Sequence, residues 1–251
     1  MHPVLLERAA RAALDTVIDP ELDEPITDLG FVRSLGATAD GVVTAHLRLP
    51  TSFCAPNFAY LMASDAKDVL RALPGVTDVV VVLDEHHDSE LINRGLAADA
   101  GYRGTFPREA KDDLEQLRLT FRRKAHAAAM ERSLGLLLKV DPELTEEDLH
   151  DVTIADLLPD APTTRSLLQR REALGLSIAA SAPVLVNDHG HPCSRAEAPL
   201  RLRFARAIRI SIEGNAHFCR GLLRTRYPES AADQAPHAHA AEHLQLKENG
   251  S

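Results

Sequence analysis

Three cysteines, with the histidines and carboxylates that could join them, are the residues of this chain most able to do chemistry, and Cys54 stands in the most telling place. It lies in Leu49-Pro50-Thr51-Ser52-Phe53-Cys54-Ala55-Pro56-Asn57, where an alternating strand pattern stops and a helical one begins. A sulfur in a strand-to-helix loop faces the free N–H groups and positive dipole end of the helix. Such a position favours thiolate over thiol and suits a metal ligand or a nucleophile. The plainer alternative is a small buried hydrophobe beneath the loop.

Two further stretches carry thiols. Val184-Leu185-Val186-Asn187-Asp188-His189-Gly190-His191-Pro192-Cys193 reads as a strand entering a turn and places His189 and His191 near Cys193. Glu213-Gly214-Asn215-Ala216-His217-Phe218-Cys219-Arg220-Gly221 carries His217 and Cys219. With Cys54 these make a set large enough for a four-ligand metal site. Asp188 to Pro192 also meets every demand of a tight turn. His217 and Cys219 would stand about 200° apart on a regular helix, so a shared ion needs irregular backbone near Gly214 and Asn215. Cys219 is preferred to Cys193 because His217 and Arg220 offer it local cations, with a core cysteine as the alternative. Asp19, Glu21 and Asp28 lie in an acidic loop and could complete a mixed oxygen and sulfur site suited to zinc or iron. Each alone also reads as a turn former or a solvated carboxylate. One of His86 and His87, at a strand end, could ligate as well.

The elements that must position these residues follow from periodicity. A first helix spans Val4 to Ile18, with Leu5, Ala9, Ala12, Ala13 and Val17 on its packed face, and stops before Asp19-Pro20. A short strand from Phe31 to Leu35, the turn at Asp40-Gly41, and a strand with Val43, Ala45, Leu47 and Leu49 on one face come next. Pro56 opens a helix that stops at Leu73-Pro74-Gly75, and Val76 to Leu83 is a buried strand. Helix, strand, strand, helix, strand make a small α/β domain. Gly95 to Pro107 reads as an ordered linker without the context of a phosphate loop. A mostly helical region follows, with a long pattern from Arg108 to about Lys139 whose basic patch includes Arg118, Arg122, Arg123 and Lys124. The expected fold class is therefore α+β. Residues 1–107 are the α/β domain with its linker, 108–228 the helical region, and 229–251 a disordered tail holding His237, His239 and His243.

Composition narrows the class. With 45% hydrophobic residues and no apolar run near the roughly 18 needed to span a bilayer, the chain reads as a soluble protein without a membrane partner. The start lacks the pattern of a signal peptide, so the cytoplasm is expected. Three cysteines make no disulfide framework, and a reducing compartment leaves them for metal or catalysis. A net charge of −9 argues against nucleic acid as a partner.

Asp19-Pro20-Glu21, Ile26 with Asp28-Leu29-Gly30-Phe31-Val32, a cysteine in the strand-to-helix loop, and Leu73-Pro74-Gly75-Val76 before a valine-rich strand occur in that order. Together they resemble the small iron–sulfur assembly domain that includes SufT and PaaD, over residues 1–85. The resemblance implies a role in assembling or delivering metal–sulfur centres to client metalloproteins, with Cys54 as the key group. One departure stands out: the family loop usually places proline directly after the cysteine, and here Ala55 intervenes.

The leading expectation is a maturation factor in which Cys54 is a transient ligand for an iron–sulfur cluster or iron, with zinc also possible. Its partner would be a client metalloprotein, such as a multicomponent oxygenase, with a homodimer as another possible assembly. A metal-free client-specific adaptor or chaperone, and a cysteine hydrolase with Cys54 as nucleophile, are the alternatives.

Overall fold

The computed structural model describes residues 2–107 and 114–235. The expected start of the long helix at Arg108, and His237, His239 and His243, lie outside the described residues. The chain forms two compact units, Met1–Leu114 together with Asn215–Ser251, and Glu115–Gly214. The architecture is α+β, with strands in the first unit and a mostly helical second unit.

In the first unit, α1 (Pro3–Leu14) buries Leu6, Ala10 and Leu14. Its packed face is therefore one residue out of phase with the expected one, and Leu5 is exposed. Beyond it, β1 (Ile18–Asp19) and β2 (Glu24–Pro25) pair antiparallel and pinch the acidic loop between them. A three-stranded sheet follows from β3 (Val32–Ala37), β4 (Val42–Leu47) and β5 (Asp78–Leu83), in the order β3-β4-β5. The β3 and β4 strands are antiparallel, with a register shift between Val32 and Ser34. The parallel pairing of β4 with β5 needs a crossover, which α2 (Pro56–Arg71) supplies.

Alternation decides which side of the sheet is covered. Val43, Ala45 and Leu47 of β4 and Val79, Val81 and Leu83 of β5 join Leu6, Leu14, Ala63 and Leu70 in one core. The expectation that β5 is buried on both faces is corrected, since Val80 points out and is exposed. The expected ordered linker, Gly95 to Pro107, takes in the end of α3 (Ser89–Ala97) and all of α4 (Gly101–Thr105). Aromatic packing holds α4. Tyr60 of α2 meets Tyr102 at 5.4 Å and Phe106 at 6.2 Å between ring centroids.

The second unit holds most of α5 (Leu114–Val140), 3-10 turns at Asp148–His150 and Ile154–Asp156, α6 (Pro162–Ala173) and the first part of α7 (Ala198–Arg226). Met130, Leu134, Leu149, Leu167, Leu185 and Leu202 are among its core residues. The expected strand at Val184 is reduced to isolated bridges, Thr153 with Pro183 and Val186 with Pro192. Among the described residues, no helix is long and apolar enough to cross a membrane.

His126 of α5 is buried inside this unit, and burial together with Arg171, Arg201 and Arg170 pushes its pKa down to about 4, against the pull of Asp188. The folded state holds it neutral while the unfolded chain takes up a proton near pH 6.5, so stability is lost as pH falls between those values. Thermal melts of the full chain should show the second unit losing about 3 kcal/mol from pH 7 to pH 4 through this group. His126→Gln should flatten that dependence. An equally steep loss in the variant would contradict the assignment.

Candidate functional site

Cys54 sits just before α2, half-buried against the core of the first unit, in a loop held on three sides. Thr51 Oγ1 lies 3.5 Å from its sulfur and accepts the Phe53 N–H at 3.2 Å. The His86 ring reaches the Cys54 carbonyl with Nε2 at 2.8 Å, while its Nδ1 accepts the Asp88 N–H at 3.1 Å. A carbonyl only accepts and an amide only donates, so these bonds assign His86 as the neutral Nε2–H form. The His87 N–H donates to the Ser52 carbonyl at 2.9 Å, and its ring stacks on Phe53 at 5.8 Å. Both histidines therefore brace the loop, and His86 spends both ring nitrogens doing so.

Asp19 is buried at the end of β1, where its Oδ1 accepts the N–H groups of Glu21 and Leu22, each at 2.9 Å. Burial pushes its carboxyl up to about 7; the two N–H bonds oppose this, and Glu21 and Glu24 add to it. The last part of α7 belongs to this unit and lays Ala216, Cys219 and Leu223, with Tyr227 just after it, against the same core that Cys54 touches. Arg220 fixes it there. Its guanidinium pairs with buried Glu24 and donates to the carbonyls of Asp28 and Ala235, both at 2.9 Å. Asn215 adds a bond to Glu21 at 3.4 Å.

The structure thus brings together Cys54, Cys219, Asp19 and Glu21, residues spread over two hundred positions of sequence. Burial pushes the Cys219 thiol up to about 12, and Asp19, Cys54 and Glu21 raise it further. The expected help from local cations does not materialise, because Arg220 is turned onto Glu24 and the carbonyl oxygens. His217 is exposed, and α7 runs unbroken through Gly214 and Asn215, so His217 and Cys219 fall on different sides of the helix. Asp28 is tied to α7 through its carbonyl, which accepts from Arg220; burial raises its carboxyl, with Asp15 adding to this and Arg220 opposing it. His189, His191 and Cys193 belong to the second unit, where the two rings stand 6.3 Å apart on an exposed turn. Among the described residues, no three His, Cys, Asp or Glu side chains form a ready-made cage for an ion.

Arg48 was not anticipated as important. It is only 1% exposed, donates through Nε to the Gly30 carbonyl at 3.1 Å, and binds Glu229 at 3.1 Å and Asp233. Glu229 lies within a 3-10 turn at Pro228–Ala232 and Asp233 directly follows it, so the segment expected to open a disordered tail is ordered by a buried cation. Gly30 adopts φ +77°, and a Cβ there would sit 2.9 Å from Gln234.

Residues 7–81 match the family model described as iron–sulfur cluster assembly protein. An uncharacterized protein of Methanocaldococcus jannaschii is 33% identical over 84 residues, 34% of this chain and 86% of that protein. The chain belongs to the iron–sulfur cluster assembly family. Proteins of Mycobacterium tuberculosis and Mycobacterium leprae named iron–sulfur cluster carrier protein are 38% and 33% identical over 88 and 100 residues. Those stretches are 34% and 38% of this chain but only 22% and 25% of the mycobacterial proteins, so the chain spans about a quarter or less of their length. A Bacillus anthracis crystal structure described as a domain of unknown function is 27% identical and covers 40% of this chain and 96% of its own, with a TM-score of 0.31.

A thiol held near 12 keeps about a thousandth of the ordinary thiolate population. Iodoacetamide at pH 8 should therefore modify Cys219 of the native chain at least about 100-fold more slowly than glutathione, with the difference erased in urea. Peptide mapping measures it, and modification at the glutathione rate would contradict the site as described.

Proposed function

We propose that this chain carries iron–sulfur cargo, as a cluster or as iron, and surrenders it to a client metalloprotein, with Cys54 as the transient ligand and Cys219 beside it. The observation that carries this reading is the convergence of both thiols and the buried Asp19 on one core of the family domain. Family membership and the names of the mycobacterial relatives support it.

The electrostatics suit a carrier. Without cargo, Asp19 and Cys219 hold protons more tightly than ordinary carboxyls and thiols do. An incoming iron must displace those protons, so binding is offset by the cost of ionising them, and proton return favours release. The chemistry is ligand exchange between sulfur donors, and no bond in an organic substrate changes. Zinc meets the same donors and would be a competitor. The Glu115–Gly214 unit lies outside the residues that match the family, and we assign client choice to it, an oxygenase component being one such client. The cytoplasm, where thiols stay reduced, is the compartment this function needs.

Anaerobic iron and sulfide analysis of the full chain tests the reading. Cys54→Ser and Cys219→Ser should each bind at least about tenfold less iron and sulfide than the parent, in line with the loss expected when a metal ligand or its support is removed. Cys193→Ser should match the parent. Unchanged content in all three variants would remove the thiol site.

A further inference from the structure

Resting on the cargo reading, we propose that the segment 228–235 is an exchangeable internal ligand of Arg48, and that an acidic segment of the client takes its place there to start release. Arg48 lies within the residues that match the family, and its two carboxylate partners, Glu229 and Asp233, lie beyond them. A guanidinium only 1% exposed has to keep an acid against it, so this cleft opens by exchanging one acidic ligand for another. The partner that fits is a segment with two carboxylates four positions apart, the spacing of Glu229 and Asp233.

The resident segment is held in a way that permits exchange. Its apolar residues Pro228, Ala231 and Ala232 are exposed, and within 228–235 burial is confined to Ser230. The Ser230 hydroxyl has no hydrogen-bond partner among the described residues, a cost that another occupant need not carry. What holds the segment is polar. Glu229 and Asp233 bind Arg48, the Ala235 N–H donates to the Asp28 carbonyl at 3.0 Å, and the Gln234 side chain joins the Arg220 carbonyl at 3.1 Å to the Arg224 guanidinium at 2.8 Å. Both carboxylates also meet water, Glu229 being 61% exposed and Asp233 45%. Tyr227 marks the hinge: Arg48 and Arg226 lie 5.5 and 5.0 Å from its ring centre, and its hydroxyl donates to Glu85 at 2.9 Å, so the helix end stays anchored when the chain beyond it lifts.

The consequence for the thiols runs through Arg220. Its bond to the Ala235 carbonyl, and the one its own carbonyl accepts from Gln234, leave with the segment, while those to Glu24 and the Asp28 carbonyl remain. Cys219, the residue before it, is then held less tightly. As the bond from iron to the Cys219 sulfur breaks, a client donor forms its own bond to that iron, the proton this donor loses passes to the Cys219 thiolate, and no atom changes oxidation state.

A labelled synthetic peptide of residues 228–235 stands in for the client segment, and fluorescence anisotropy measures its binding to the full chain without iron. The Glu229→Gln, Asp233→Asn double variant, whose own segment is weakened, should bind it at least about tenfold tighter than the parent does, and a peptide carrying the same two changes should bind neither. In the parent, saturating acidic peptide should speed hydrogen exchange of the Ala235 amide at least about tenfold, which reads the exchange even where the double variant does not fold. On the parent loaded anaerobically with iron, the same peptide should speed iron loss to a chelator. Equal binding of the charged and uncharged peptides, or an Ala235 amide that the peptide leaves unchanged, would overturn the exchange. Native mass of twice 27.4 kDa for the parent would give the cleft to a second copy's segment and overturn the client as occupant. Iron loss unaffected by bound peptide would overturn the link to release, whereas peptide binding by a chain that takes up no iron would leave the acidic site standing and overturn the cargo reading alone.

Discussion

Two buried guanidinium groups hold the first unit of this protein in its functional form. Arg48 and Arg220 lie at opposite ends of the chain's length, and each reaches across it, Arg48 to Glu229 and Asp233, Arg220 to Glu24 and the carbonyls of Asp28 and Ala235. A buried charge left without partners costs several kcal/mol, so neither arginine can stay inside unless the last part of α7 and the turn after it stay docked. Cys219 precedes Arg220 in the same helix. The pairing that satisfies one residue's charge therefore places the next residue's sulfur.

That placement explains the character of the site. The same docking that brings Cys219 to Cys54 also buries it beside Asp19 and Glu21, which makes its proton hard to remove. A permanent metal centre would call for a preformed cage of ionised ligands. A carrier needs the opposite balance, in which a cation and protons compete closely. On the proposed reading the geometry suits that balance: a loop thiol braced by His86 and Thr51, and a helical thiol kept protonated by burial.

Much of the small domain was legible in the sequence because its strands are strongly periodic. Val43, Ala45 and Leu47 could face only one way, and Pro56 could only follow a loop, so Cys54 was placed correctly between strand and helix. The phase of α1 was not, because apolar or small residues occur at both Leu5, Ala9 and Leu6, Ala10, and periodicity alone admits both faces. Arg48 looked solvent-facing because it falls on the polar beat of its strand; its acceptors come from a stretch whose composition resembles a mobile tail. Gly214 and Asn215 suggested irregular backbone in the last helix. Gly214 and Gly221 both face open space, so the helix passes through them at a cost of about 1 kcal/mol each, which the packing of Ala216 and Leu223 offsets. The return of α7 to the first unit is a long-range event with no local signature, and it decides which cysteine joins Cys54.

Cadmium NMR tests the central claim most directly, because metal-to-proton couplings name each coordinating cysteine. With less than one equivalent of cadmium on the anaerobic full chain, the account expects couplings from the metal to the Hβ protons of both Cys54 and Cys219. Cadmium coupled to Cys193, or to only one of the two, would contradict it.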